Sequence, residues 1–129
     1  LRLYPPAHLG NRRAVCDLEF DGCPIPAGAR VGYSIYLSHR HPEHWQQPHM
    51  FDPDRFAGRH VPFAFVPFGG GSRTCIGMSY ALMEARIVLS RVLQHFELLP
   101  QPGAVYERMA VTLQPRTHGG GVFVLPKPR

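Results

Sequence analysis

The residue with the most chemistry to offer is Cys75, set in the stretch PFGGGSRTCIG that runs from Pro67 to Gly77. A long run of apolar periodicity begins just after it, so the thiol is expected at the mouth of a helix. The first turn of a helix leaves N–H groups unpaired and carries the positive end of the peptide dipoles. Both favour a thiolate over a thiol. The amides of Ile76, Gly77 and Met78 are predicted to donate toward the sulfur. Gly69, Gly70 and Gly71 remove Cβ atoms where the backbone must turn sharply and approach something closely. Gly77 keeps the first helical turn bare, as a flat ligand lying against it requires. Phe65 and Phe68 are apolar shields for a buried sulfur, and Arg73 offers a planar fork suited to a carboxylate.

A single thiolate, one apolar face and a carboxylate clamp describe iron in haem, with a propionate near the arginine. Two blander chemistries compete. Cys75 as an ordinary buried thiol is one. A phosphate cradle is the other, but the loop lacks the G-x-x-x-x-G-K-[ST] spacing and its lysine. The three cysteines, Cys16, Cys23 and Cys75, are an odd number without C-x-x-C spacing, which disfavours a disulfide framework or a four-cysteine zinc site and fits a reducing compartment. His39, His41, His44 and His49 have loose spacings and no cysteine near them in sequence, so capping or solvent-facing roles are expected rather than zinc. The net charge of +5 is almost all arginine, with Lys127 the only lysine. Those arginines are scattered and do not form the aromatic-interleaved stripe of a nucleic-acid groove. An acidic redox partner suits the same charge, and the arginine bias suits a bacterial, cytosolic parent.

The elements that must position Cys75 follow from periodicity and turn residues. Residues 1–4 read as the tail of a helix stopped by Pro5-Pro6. Strands are predicted over residues 14–20 and 23–25, flanking the hairpin dipeptide Asp21-Gly22. Pro26-Ala27-Gly28 is a second turn, and residues 30–37 alternate as a further strand. Ser38 is read as the cap of a short helix holding His41 to Trp45. Across residues 46–74, Pro48, Pro53, Pro62, Pro67 and a scatter of glycines forbid regular structure, and so long an irregular stretch is usually functional. One helix is predicted over residues 76–96. Ala81, Ala85, Val88, Leu89, Val92 and Phe96 share a face, and Leu82, Met83 and Ile87 widen it enough that most of the helix should be enclosed. Strands over residues 110–113 and 122–125 flank a loop at Gly119-Gly120-Gly121. No apolar run approaches the roughly 20 residues needed to cross a bilayer.

The cysteine stretch resembles the haem-binding motif of cytochromes P450, F-x-x-G-x-R-x-C-x-G, which Phe68, Gly71, Arg73, Cys75 and Gly77 meet at every specified position. Ala81 and Glu84 continue the family's A-x-x-E pattern on the next helix. Arg2 looks like the arginine of the E-x-x-R helix, with its glutamate partner before Leu1. Arg12, upstream of Asp17, matches a strand arginine that contacts a haem propionate. The run FDPDRF from Phe51 to Phe56 resembles the family's F-x-P-x-R-F segment, whose arginine, here Arg55, joins the E-x-x-R pair in a buried charge cluster. His39-Arg40-His41-Pro42 with Trp45 is similar to the H-R-x-P…W segment.

The resemblance spans nearly the whole chain and implies the mainly α fold with small β-sheets of that family. Residues 1–129 would be its C-terminal haem-binding part. It implies haem b on Cys75, with Phe68, Gly71, Arg73, Ile76, Gly77, Ala81 and Arg12 around it. Ala7, His8, Leu9 and Gly10, and Met109, Ala110 and Val111, would face a small lipophilic substrate. Thiolate ligation favours O–O cleavage, hence insertion of one oxygen atom from O2, with electrons from a ferredoxin or a flavodoxin-like reductase. Haem-thiolate isomerases and dehydratases of the same fold are the alternative, and the distal helix that would separate them is not in this sequence. With Arg2 and Arg55 lacking their glutamate, the chain by itself is expected to be unstable or molten, and inactive.

Overall fold

A computed structural model describes residues 1–58, 61–100, 106–109, 112–116 and 124–129. The chain divides into two compact units, Leu1–Gly69 and Gly70–Arg129.

In the first unit, β1 (Leu9–Arg13) pairs antiparallel with β4 (Arg30–Ser34), setting Gly10 opposite Tyr33 and Arg12 opposite Val31. A side chain at Gly10 would run into the Tyr33 ring, so the glycine makes room for it. Between these strands, β2 (Leu18–Phe20) and β3 (Cys23–Ile25) form the expected hairpin. Asp21 and Gly22 sit at φ 50° and 73°, the paired left-handed conformation that matches the twist of two strands. The strand predicted over residues 14–20 is split. Ala14 is buried, donates to the Ala29 carbonyl and accepts from Gly28, so it closes the Pro26–Gly28 turn instead of extending a sheet. Asp17 secures the same turn by accepting the Ala27 amide at 2.7 Å.

The strand predicted over residues 30–37 also ends early. Ser34 Oγ accepts the Leu37 amide and caps α1 (Ile35–Ser38), a conformation that competes with the strand ladder. The helix expected around His41 to Trp45 is only one hydrogen-bonded turn, in which His44 and Trp45 both donate to the His41 carbonyl. Gln47, at φ 44°, cannot continue it. Residues 1–4 are not helical either. Arg2 there is anchored by distant backbone carbonyls, which hold the segment in bends ahead of the two prolines.

The core of this unit gathers Pro5, Ala14, Ile35, His39, Trp45 and Ala64. Phe65 stands at its centre, with ring centroids 5.0 Å from His39, 5.0 Å from Phe56 and 6.3 Å from Trp45. Beyond Trp45 the described residues are irregular up to the cysteine loop, as the prolines require, apart from short 3₁₀ turns at Asp54–Phe56 and Gly71–Arg73.

The second unit is built on α2 (Met78–His95). Its C-terminal residue passes directly into β5 (Phe96–Pro100), a strand the sequence reading missed, which pairs antiparallel with β8 (Val124–Pro128). A second ladder joins β6 (Tyr106–Met109) to β7 (Leu113–Arg116). The strands expected at 110–113 and 122–125 thus coincide with β7 and β8 only at Leu113 and at Val124 and Leu125. Ala110, Val111, residues 122 and 123 and the triple glycine lie outside the described residues.

One expectation fails clearly: α2 is not enclosed. Met83, Ile87, Val88, Leu89 and Leu93 are each about half exposed, and only Leu82 and Val92 reach intermediate burial. Periodicity identifies an apolar face but says nothing about what covers it. At about 1.5–3 kcal/mol for full burial of such a side chain, half exposure forgoes on the order of 1 kcal/mol for each.

Candidate functional site

Gly69 and Gly71, at φ 74° and 68°, take left-handed conformations that a side chain would resist. Between them and α2 the chain makes a 3₁₀ turn, closed by Thr74, whose amide and hydroxyl both donate to the Gly71 carbonyl, at 3.1 and 2.8 Å. Cys75 follows with a free, exposed thiol. Ile76 is fully exposed beside it. The helix starts at Met78, later than expected, with Gly77 at its N-cap. The Met78 amide donates to the Cys75 carbonyl oxygen at 3.3 Å, and no amide among the described residues reaches the sulfur, contrary to the sequence reading. The later helix start explains this, because the Cys75 backbone absorbs a donor that would otherwise face the thiol.

A Cβ added at Gly77 would stand 3.8 Å from Cys75 Sγ, so this glycine keeps the ground beside the sulfur clear. Arg73 is exposed and makes no hydrogen bond or ion pair among the described residues. Ala81, one turn into α2, is exposed with its amide bonded to the Gly77 carbonyl at 2.9 Å. The result is a thiol and a guanidinium that are uncommitted among the described residues, with Ile76 and Ala81 exposed on the same loop-helix junction. Phe68, the motif's first residue, belongs to the other unit and is partly buried just before Gly69.

The first unit holds a second cluster. Arg2 is only 4% exposed, and its guanidinium donates to the carbonyls of His39 (2.9 Å), Pro48 (2.6 Å) and Met50 (2.9 Å). Its charge also lies 5.2 Å from the Trp45 ring. Arg55 meets it at the Met50 carbonyl (3.3 Å) and donates to Gln46 at 3.0 Å, with Asp52 4.0 Å away. Burial, then the neighbouring Arg55 and Arg40, weaken Arg2's hold on its proton, while Asp52 opposes them. The expected pair of cations stripped of an anion is thus corrected in part: backbone carbonyls supply the partners. Arg40 lies 3.6 Å over the Tyr36 ring and donates to the Leu3 and Tyr36 carbonyls.

The remaining predicted residues fall as follows. Arg12 is exposed on β1, donates to the Asn11 carbonyl and lies 5.6 Å from the Tyr33 ring. Ala7 and Leu9 are exposed and Gly10 is half-buried in β1. His8 is buried, and its Nδ1 has no partner. Met109 ends β6, while Ala110 and Val111 lie outside the described residues. No cluster of His, Cys, Asp or Glu fit to hold a metal occurs among the described residues.

The profile of the cytochrome P450 family matches residues 1–120 of the chain. The chain belongs to this family. It is 45% identical to rat (Rattus norvegicus) cytochrome P450 3A2 over an alignment of 107 residues that covers 78% of this chain and 21% of that protein. Against the beta-amyrin 6-beta-monooxygenase of Solanum lycopersicum it is 37% identical, over 88% of the chain and 25% of the relative. Against the thromboxane-A synthase of Macaca fascicularis it is 41% identical, over 79% and 20%. A retinoic acid-bound cyanobacterial P450, CYP120A1, superposes with a TM-score of 0.88 at 34% identity, covering 99% of this chain and 30% of that one. The chain therefore spans about a fifth to a quarter of the curated relatives' length.

The cytochromes P450 are a haem-thiolate family, and the residues of this chain fit that group. The free sulfur, the bare Gly77 beside it and Arg73, unpaired among the described residues, together offer a ligand, space and a carboxylate partner on one junction. His39 is the functional candidate that sequence reasoning passed over. Its position in the H-R-x-P segment was the one available signal.

Proposed function

We propose that this chain is the C-terminal haem-binding part of a longer P450 monooxygenase, which inserts one oxygen atom from O2 into a small lipophilic substrate. The observation that carries the reading is the thiol of Cys75, free and exposed beside a side-chain-free Gly77 in a loop that meets the family motif at every specified position. Haem b held there would supply the oxygen-activating chemistry.

The chain's own residues have narrower tasks. Cys75 provides the thiolate. Arg73 and Arg12 neutralise propionates with guanidinium forks. Phe68, Gly71, Ile76, Gly77 and Ala81 shape an apolar, side-chain-poor bed that keeps water from the sulfur. Ala7, His8, Leu9 and Gly10, with Met109, Ala110 and Val111, border the substrate. Electrons come from a ferredoxin or flavodoxin-like partner. The exposed face of α2 is covered by the rest of the longer parent, whose mainly α fold completes the domain.

A second reading, a haem-thiolate isomerase or dehydratase needing no external electrons, draws support from the thromboxane-A synthase among the relatives. Consumption of reductant in step with product, measured on the parent, separates the two. The shared claim is tested by reducing the haem-loaded parent under carbon monoxide. The red-shifted Soret band of thiolate ligation is expected, and Cys75→Ala should abolish it. A band that survives the substitution would show that another residue binds the iron.

A further inference from the structure

His39 is the most enclosed polar side chain of the first unit, with 0% exposure, and the haem chemistry does not use it. Its ring is held at both nitrogens. Nε2 accepts the Val66 amide at 2.8 Å, which places the ring proton on Nδ1, and Nδ1 in turn donates to the Arg2 carbonyl at 3.3 Å. The His39 carbonyl accepts from Arg2's guanidinium, so the two residues are joined reciprocally. Phe65 covers the ring, with centroids 5.0 Å apart. Val66 is the residue immediately before Pro67, where the cysteine loop begins. A backbone amide that close to a glycine-rich turn has few partners to choose from, and here it uses a side chain from a distant segment.

We infer that His39 is a positioning residue for the cysteine loop: its Nδ1–H imidazole fastens the Val66 amide to the Arg2 backbone and so fixes where the loop departs. The inference rests on the haem-thiolate reading of Cys75 and names a residue through which that ligand is held.

Two consequences follow from the ring's surroundings. The acceptor for Val66 exists only while the ring is neutral, because an imidazolium has donors alone. Burial holds the ring's pKa down at about 4, and the Arg2 charge pushes the same way against the Arg2 and Leu1 backbone. Phe65 and Val66, on the other side, bring no titratable group. The fastening should therefore persist through neutral pH and release near pH 4.

The test uses the haem-loaded parent, with hydrogen exchange resolved to single amides and the reduced carbon monoxide spectrum recorded on the same samples. In the wild type, the Val66 protection factor should be high at pH 7 and fall in a step near pH 4, with the red-shifted band declining in that step. His39→Gln keeps an acceptor near the Nε2 position, so it should retain protection within about three-fold and lose the acid step. His39→Asn reaches only toward Arg2 and should lose about ten-fold or more of the protection at Val66, a factor worth about 1.4 kcal/mol. Unchanged Val66 protection in His39→Asn, or an acid step that persists in His39→Gln, would overturn the inference. A wild type with Val66 protected but no red-shifted band would overturn the haem-thiolate reading, and with it the claim that His39 serves that ligand.

Discussion

The Arg2 cluster and the Cys75 junction treat their polar groups in opposite ways. Around Arg2, most donors are spent: its guanidinium reaches three carbonyls, Arg55 shares one of those carbonyls, and His39 uses both ring nitrogens, while Nε of Arg55 is buried with no partner among the described residues. At the junction, the thiol of Cys75 and the fork of Arg73 are exposed and uncommitted among the described residues, where the apolar face of α2 also stands open. A region whose groups are mostly satisfied within the chain serves to hold shape. One whose reactive groups are left free serves to meet something that the chain does not supply. The difference teaches which residues should answer to stability measurements and which to ligand spectroscopy.

The largest effect on folding is expected at Arg2. Arg2→Ala strands the His39 and Pro48 carbonyls without their donor, leaves the Met50 carbonyl to Arg55, and should destabilise the haem-loaded parent by about 3–5 kcal/mol in denaturant unfolding. A cost below about 1 kcal/mol would mean that the cluster is not structural, and the comparison would break.

Acid should act next. His39 has its pKa lowered from an ordinary 6.5 to about 4, chiefly by burial. As pH falls below 6.5, the unfolded chain binds this proton before the folded one does, so stability is full above that value, declines toward pH 4 and then levels off. The loss amounts to roughly 3 kcal/mol. It is read as the difference in pH dependence between wild type and His39→Gln, and matching profiles would contradict it.

The smallest effect belongs to the second unit's own ion pair. Lys127 and Glu97 lie 3.9 Å apart across β5 and β8, both well exposed. Lys127→Ala should change unfolding free energy by less than about 0.5 kcal/mol. A larger change would mean that polar contacts in this unit bear load after all.

The site was more legible than the fold, for a physical reason. The demands of the cysteine loop are local: a thiol, glycines at left-handed or bare positions and an arginine must sit at fixed spacing, so they can be read along the chain. The Asp21-Gly22 hairpin was readable on the same ground. Residues 30–37 misled because strand-like alternation runs on past Ser34, whose hydroxyl caps α1 instead. β5 follows α2 with no punctuating Gly or Pro between them, so nothing marked the change. His39 looked like one of several loosely spaced histidines because its partners, Arg2 and Val66, are distant in sequence and only folding brings them together. The enclosure expected of α2 failed because an apolar stripe does not specify its cover.

Binding of iron by the Cys75 sulfur is tested most directly by X-ray absorption at the iron edge of the haem-loaded parent. A sulfur scatterer in the first coordination shell of the wild type, absent from Cys75→Ala, is the predicted result. A shell of nitrogen and oxygen alone in the wild type, or sulfur that persists in the variant, would contradict it.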